Sequence, residues 1–259
     1  MSFTKKIIKK FLYVLGLYPW MVVLEKRIGY FNPVAKTNQK EMLNFYSQFI
    51  KSGDLCFDIG ANVGDITETF LKLGARVIAV EPQKICLKIL YRLFRKNKNL
   101  VIVNKAVGEE SGISELSISE EAHSISTMSN KWKKEGRFSQ NYKWTKNQKV
   151  MVVTLDDLIK EYGLPKFCKI DVEGFEISVL KGLTRSISYI SFEFTREFFD
   201  DAKKCIDYLF SLGQAEFNYS IGESPKLFSS TWLKSEELYL KLENINDKYL
   251  WGNIYIKFS

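Results

Sequence analysis

The chain has one histidine, His123, and no pair of cysteines at a ligand or redox spacing. A zinc framework needs four such donors, so none is expected. The four cysteines are Cys56, Cys86, Cys168 and Cys205. Cys56 and Cys168 fall in segments that read as buried strands. All four are read as free thiols in a reducing, cytoplasmic compartment, not as a disulfide framework. Long hydrophobic runs are scarce. The apolar run over residues 11–24 is broken by Gly16 and Pro19, and a membrane span needs about 20 apolar residues. No small-x-small cleavage site follows it, which argues against a secretory leader. There is no internal repeat. The G-x-G-x-x-G fingerprint of dinucleotide sites is absent too, which disfavours a nicotinamide dehydrogenase.

The chain does have an excess of positive charge, net +8, and a hydrophobic fraction of 46% that suffices for a full core. Its 259 residues suit one α/β domain with additions. The charge favours anionic partners: phospholipid, an acidic or phosphorylated glycan, or nucleic acid. Lys5, Lys6, Lys9 and Lys10 precede the apolar run, so residues 1–37 form a basic and apolar N-terminal extension. Residues 1–24 either dock as a helix on the rest of the chain or lie peripherally in a membrane interface. The docked helix is preferred, because interfacial binding needs a cleaner polar face.

The organising stretch runs from Asp54 to Pro82. Leu55 to Ile59 are apolar except Asp58, as in a parallel strand buried on both faces. Gly60 to Gly64 make a tight turn, Asp65 is read as the cap of a helix, and Gly74 ends it. Val77 to Val80 form the next strand, closed by Glu81-Pro82. A ligand of such a unit sits beyond the carboxyl ends of its strands. Asp58 there would repel a pyrophosphate but suits an ammonium group. Gly60 and Gly64, with Asn62 between them, are expected to let backbone approach the ligand without an intervening Cβ. Glu81 can accept both hydrogens of a ribose diol. An amino acid joined to adenosine, S-adenosylmethionine, fits this set.

Downstream, Leu100–Val103, Val150–Val153, Phe167–Val172, Tyr189–Thr195, Ala215–Ile221 and Asn253–Phe258 read as strands, alternating with amphipathic helices. Asp171, Glu173 and Glu193 collect at adjacent strand ends. Alternation puts Lys169 on the face of Asp171 as an ion partner. Asp171 is assigned the place nearest the reacting atoms, with Glu173 and Glu193 orienting an acceptor or serving as base, a role His123 on the substrate side could also take; the structural alternative is that Asp171 and Glu173 cap the next helix and Glu193 pairs with Lys169. Residues 109–149 are long for a connection and are read as an inserted loop on the substrate side, with a short strand suggested by Ile113, Leu116 and Ile118. Within it lie His123 and the segment 131–149, seven basic residues and one acid interleaved with Trp132, Phe138, Tyr142 and Trp144. That segment reads either as a solvated loop or as a lid whose Trp132 and Trp144 stack on the acceptor.

The ordered set D-I-G-A-N-V-G (58–64), V-E-P (80–82), N-K-A-V-G (104–108), T-L-D-D-L (154–158) and K-I-D-V-E-G-F-E (169–176) resembles the FkbM-type S-adenosylmethionine-dependent methyltransferases. The resemblance covers about Gly53 to Glu193. It implies an α/β, Rossmann-like methyltransferase fold over residues 38–259, with a mostly parallel seven-stranded sheet, helices on both faces and an antiparallel last strand. It implies adenine contacts from Lys105, Ala106 and Val107, and a serine, Ser124 or Ser126, near the ligand. It does not demand a metal, and none is expected. The activity expected is O-methylation of a sugar, glycan or other small molecule. The alternatives are RNA 2′-O-methylation, which the resemblance disfavours along with nucleic acid as a partner, and a non-catalytic binding module.

Overall fold

The computed structural model describes Leu12, residues 15–29 and residues 31–259. Helix α1 (Tyr18–Gly29) buries Tyr18, Val22 and Val23 against Ile89, further along the chain. Lys26 holds it from the side through an ion pair with Asp65 at 2.7 Å. The opposite stripe, Leu17, Trp20, Leu24 and Ile28, is exposed. Lys5, Lys6, Lys9 and Lys10 lie outside the described residues. Among the described residues no helix is long and apolar enough to cross a membrane. Helix α2 (Pro33–Tyr46) starts where the Asn32 side chain accepts the Val34 N–H, with proline at the first helical position.

Strand β1 (Leu55–Ile59), helix α3 (Asp65–Lys72), strand β2 (Arg76–Val80), helix α4 (Lys84–Phe94) and strand β3 (Leu100–Val103) follow in order. The cap of α3 differs from the sequence reading. Gly64 occupies the capping position at φ 85°, with no side-chain cap, and Asp65 is the first helical residue. Asp65 faces Lys26 instead, so its charge serves the docking of α1.

Strands β4 (Ala106–Val107), β5 (Gly112–Ile118) and β6 (Lys146–Val153) make a separate three-stranded sheet. Residues 109–149 are therefore not a plain loop. They hold β5, a short 3-10 turn at His123–Ile125, helix α5 (Asn130–Glu135) and the first half of β6. Strand β6 begins at Lys146, ahead of the apolar Val150–Val153. Its polar half pairs in register with β5, with Lys149 opposite Glu115. Cross-strand pairing stabilises a segment with no hydrophobic alternation, which is why composition made it look like loop.

Helix α6 (Leu155–Tyr162) opens with a capping box between Thr154 and Asp157. The rest of the chain comprises β7 (Phe167–Ile170), α7 (Glu176–Lys181), β8 (Tyr189–Thr195), α8 (Phe199–Ser211), β9 (Ala215–Ile221), α9 (Ser235–Glu243) and β10 (Trp251–Phe258). The main sheet has the order β3-β2-β1-β7-β8-β10-β9. Its first five strands are parallel, and β10 is antiparallel to both neighbours.

Each face of the sheet has its own core. Phe57, Ile59, Cys168, Ile170, Ile190 and Phe192 pack on one side with Leu158, Val179, Ile206 and Leu238 from α6 to α9. On the other side Cys56, Phe167 and Tyr255 meet Phe45 and Tyr46 of α2 and Phe70 of α3, largely edge to face. Fully buried Phe70 and Phe167 each contribute about 1.5–3 kcal/mol relative to exposure. Period two then decides what lies at the strand ends on this second face: Asp58 follows Cys56, Lys169 and Asp171 follow Phe167, and Glu193 follows Tyr189.

Candidate cofactor and acceptor site

The second face opens at the carboxyl ends of the parallel strands into a cavity of about 1170 Å³. That exceeds the volume needed by one drug-sized ligand, roughly 300–1,000 Å³. The carboxyl ends of a parallel sheet are where such a cleft is expected.

Asp58 is buried at the first strand's mouth. The Thr67 hydroxyl of α3 donates to its Oδ2 at 2.5 Å, while Oδ1 has no partner. Burial pushes the Asp58 carboxyl up, opposed by the Lys169 ammonium and the Thr67 hydrogen bond. Glu81 is fixed by two backbone donors: the Asn62 N–H reaches Oε2 at 2.8 Å and the Gln83 N–H reaches Oε1 at 2.7 Å. Burial pushes its carboxyl up to about 7. Asn62 takes a left-handed φ of 49° in the turn, and the Cys86 thiol donates to its side-chain oxygen.

Gly60 lines the cavity and Gly64 does not, and each glycine has a reason within the protein besides ligand approach. A Cβ on Gly60 would lie 1.8 Å from the Asp171 carbonyl oxygen. A Cβ on Gly64 would meet Leu90 and Phe94 of α4 at 2.7 Å, and Gly64 does not line the cavity. Both glycines allow close approach of protein to protein: Gly60 to the neighbouring strand end, Gly64 to a helix.

Lys105, Ala106 and Val107 line the same cavity, as do His123, Ser124 and Ser126. The His123 carbonyl accepts the Gln83 side-chain amide at 2.9 Å, and its ring lies 5.9 Å from that of Tyr18. Helix α1 thus supports this wall. The Ser126 hydroxyl oxygen accepts the Ser119 N–H at 3.3 Å.

The far half of the cavity holds the three carboxylates. Lys169 Nζ donates to Asp171 Oδ2 at 2.8 Å, as alternation requires. Glu173 sits at φ 55°, its carbonyl accepting from the Thr127 hydroxyl at 2.7 Å. One oxygen each from Asp171, Glu173 and Glu193 lie within 4.8 Å of one another. Burial, then the neighbouring carboxylates, push Glu173 and Glu193 well above the ordinary range. The capping alternative for Asp171 and Glu173 does not hold. Helix α7 has no side-chain cap, and Glu176 instead ties down the turn before it, accepting the N–H of Val172 at 3.0 Å and of Gly174 at 3.3 Å.

The basic aromatic segment is more tightly built than a lid. Arg137 is bidentate to Glu197 at 2.8 and 2.6 Å, Lys131 meets Asp201 at 2.6 Å, and Lys146 meets Glu120 at 2.5 Å. Trp132 is only 3% exposed and packs between Phe138 and Phe198. A Cβ on Gly174 would lie 2.9 Å from its ring. It lines the cavity as a wall, whereas Trp144 lies outside the cavity and donates its indole N–H to the Ile125 carbonyl at 2.8 Å. Trp132→Ala should therefore cost about 3–5 kcal/mol of stability in denaturant unfolding, and Trp144→Ala less than half of that. Equal and small losses would return Trp132 to the role of a mobile stacking residue.

Sequence reasoning missed Thr67, Thr195, Trp251 and Asn253. Thr195 follows Glu193 on the same strand face, and Trp251 and Asn253 stand opposite Thr195 and Glu193 in the β8–β10 register. Alternation alone could have found Thr195; Trp251 and Asn253 need the pairing of β10.

In spatial order the dinucleotide-binding sheet runs 3-2-1-4-5-6. Here an antiparallel strand, last in the chain, is inserted between the fifth and sixth, which makes this the Rossmann-like methyltransferase fold. Residues 58–221 match the methyltransferase FkbM domain, and the chain belongs to that family. Among curated proteins none matches the chain in sequence. Solved structures similar to it include precorrin-6y C5,15-methyltransferase of Geobacter metallireducens GS-15. That match has 12% identity, 85% of this chain and 87% of that one covered, and a TM-score of 0.46. An rRNA methylase of Streptococcus thermophilus is 12% identical over 88% of this chain and 98% of its own, with a TM-score of 0.41. SMU.1697c of Streptococcus mutans, in complex with SAH, is 11% identical over 83% and 94%, also at 0.41. Likenesses at such scores bear on neither the substrate nor the mechanism of this chain.

Proposed function

We propose that the chain transfers the methyl group of S-adenosylmethionine to a hydroxyl of a sugar, glycan or other small molecule. The observation that carries this reading is the unpartnered Oδ1 of buried Asp58, lining the cavity two residues before the glycine turn. A buried carboxylate oxygen without a donor is costly, and the ammonium group of this cofactor would supply the missing donor. Glu81, already fixed by two backbone N–H groups, keeps a lone pair on each oxygen for a ribose diol. Lys105 to Val107 form the wall for the adenine. When bound, the cofactor supplies an activated methyl group on a sulfonium.

The residues of the chain then position and deprotonate the acceptor. Asp171, Glu173 and Glu193 line the half of the cavity left for it, and one of these carboxylates receives the hydroxyl proton. This wall also favours an acceptor class. It is acidic, and Lys131, Arg137 and Lys146 are held in ion pairs. A neutral polyol suits it better than the acidic or phosphorylated acceptor suggested by net charge, and a polyanion such as RNA suits it less.

Calorimetric titration with S-adenosylhomocysteine tests the cofactor assignment. Glu81 must be ionised to accept two hydroxyls, and its carboxyl is raised to about 7. Asp58, Asp171 and the Cys86 thiol are the titratable groups that bear on it, and His123 lines the same cavity. Affinity should fall about tenfold from about pH 8 to about pH 6, the cost of removing a proton from a group with this pKa. Glu81→Gln should bind more weakly and flatten that profile, which separates Glu81 from His123. No binding at either pH, or tighter binding of NAD, would overturn the reading.

A further inference from the structure

Two observations at the acceptor end are left over by methyl transfer as described. The first is the charge of the carboxylate cluster. Among the described residues, the cation bonded to the cluster of Asp171, Glu173 and Glu193 is Lys169, through Asp171. Arg137, the other strong cation nearby, is matched by Glu197. Ionising all three carboxylates would leave more negative charge than the Lys169 ammonium, which Asp58 also draws on, can balance, and that is costly in a half-closed cavity. The second is Thr195. It is 5% exposed, its hydroxyl has no partner, and it lines the same cavity on the same strand face as Glu193. A buried hydroxyl in the cavity lining with nothing to bond is a donor or acceptor open to a ligand.

We propose that Asp171, Glu173 and Glu193 bind one divalent cation of the magnesium, manganese or calcium class, with the Thr195 hydroxyl as a further oxygen. The sequence reading expected no metal; the donor geometry argues for one. Every candidate ligand is a hard oxygen, the set these ions take, and no histidine or cysteine ligand is among them to favour zinc. Oxygens bound to one ion at about 2.4 Å can be at most about 4.8 Å apart. The three carboxylate oxygens meet that limit as they stand. Calcium, with the longest bonds of the class, asks the least inward movement of these oxygens, and the shorter bonds of magnesium and manganese ask more. Lys169 holds only Oδ2 of Asp171, so Oδ1 remains for the ion. A cation here would let the three carboxylates ionise together and hold the acceptor's hydroxyl oxygen against the methyl donor. This rests on the methyltransferase reading for its purpose, though not for its ligands.

Full-length protein dialysed against chelator and titrated with Mn²⁺, with free ion followed by electron paramagnetic resonance, provides the test. One Mn²⁺ per chain is expected, displaced by Mg²⁺ or Ca²⁺. Glu193→Gln should weaken Mn²⁺ binding by about 100-fold and Thr195→Val by about 10-fold, the range found for ligands and their supports. Affinity for S-adenosylhomocysteine, measured in the same samples, should stay within about threefold and so reports folding. If Glu193→Gln does not fold, Thr195→Val carries the test. Wild-type protein that binds S-adenosylhomocysteine but no Mn²⁺ up to about 1 mM, the weak end for such sites, overturns the cation site and leaves methyl transfer standing. Mn²⁺ bound equally by wild type and both variants also overturns it, because the ion then sits elsewhere. Mn²⁺ binding lost in the variants, in a protein without affinity for S-adenosylhomocysteine, upholds the cation site and sinks the cofactor assignment instead.

Discussion

Gly60→Ala is expected to cost about 3–5 kcal/mol of stability, against about 1 kcal/mol for Gly53→Ala. Both glycines have a left-handed φ, 81° and 88°. A Cβ on Gly53 meets nothing within 4 Å, so its substitution carries the backbone term alone. A Cβ on Gly60 falls 1.8 Å from the Asp171 carbonyl. That carbonyl cannot retreat easily, because the Asp171 N–H is bonded to the Ile59 carbonyl at 3.0 Å and β1 and β7 are paired along their length. The strands must separate at their ends, which moves Asp58 and Asp171 apart together. Loss of S-adenosylhomocysteine affinity should therefore accompany the loss of stability in Gly60→Ala and be absent from Gly53→Ala. Denaturant midpoints read the first effect and calorimetry the second. If the two variants are equally stable, the strand ends are looser than the geometry implies.

This contrast also shows what a sequence can disclose. The apolar run of Leu55 to Ile59, the glycine turn and the Glu81-Pro82 stop are local patterns, and the structure has β1, α3 and β2 where they place them. The antiparallel last strand came from the family resemblance, and the β8–β10 pairing shows it. The reason for each glycine was not legible, since it depends on Asp171, Leu90 and Phe94, which are distant in the chain. The same holds for Trp132. Flanking charges made it look exposed, but its neighbours Phe198 and Gly174 come from other parts of the chain. The basic residues around it misled in the same way: Arg137 and Lys131 are neutralised by Glu197 and Asp201, which lie 60 and 70 residues away in sequence. Net charge described the surface, while the cavity wall is acidic.

The carboxylates at that wall carry the second large effect. Asp171→Asn is expected to lower methyl-transfer turnover by about 10²–10³-fold, the usual range when a positioned acid or base is removed. Affinity for S-adenosylhomocysteine should change by less than about threefold, because the proposed cofactor contacts lie on β1, β2 and β4. Asparagine has the shape of the carboxylate, and its side-chain oxygen can still accept from Lys169 Nζ. Lys169 also stays near Asp58, whose charge helps keep the ammonium ionised. The fold is thus expected to survive, with a melting temperature within a few degrees of wild type. What changes is charge: one negative group leaves the end of β7, where the acceptor oxygen, its proton and the methyl group must meet. A loss of turnover with unchanged cofactor affinity places Asp171 at the reacting centre. If the variant unfolds, Asp171 serves the Lys169 ion pair above all. If turnover falls less than about tenfold, the chemistry belongs to Glu173 or Glu193, and the corresponding glutamine variants of those two should then show the larger loss.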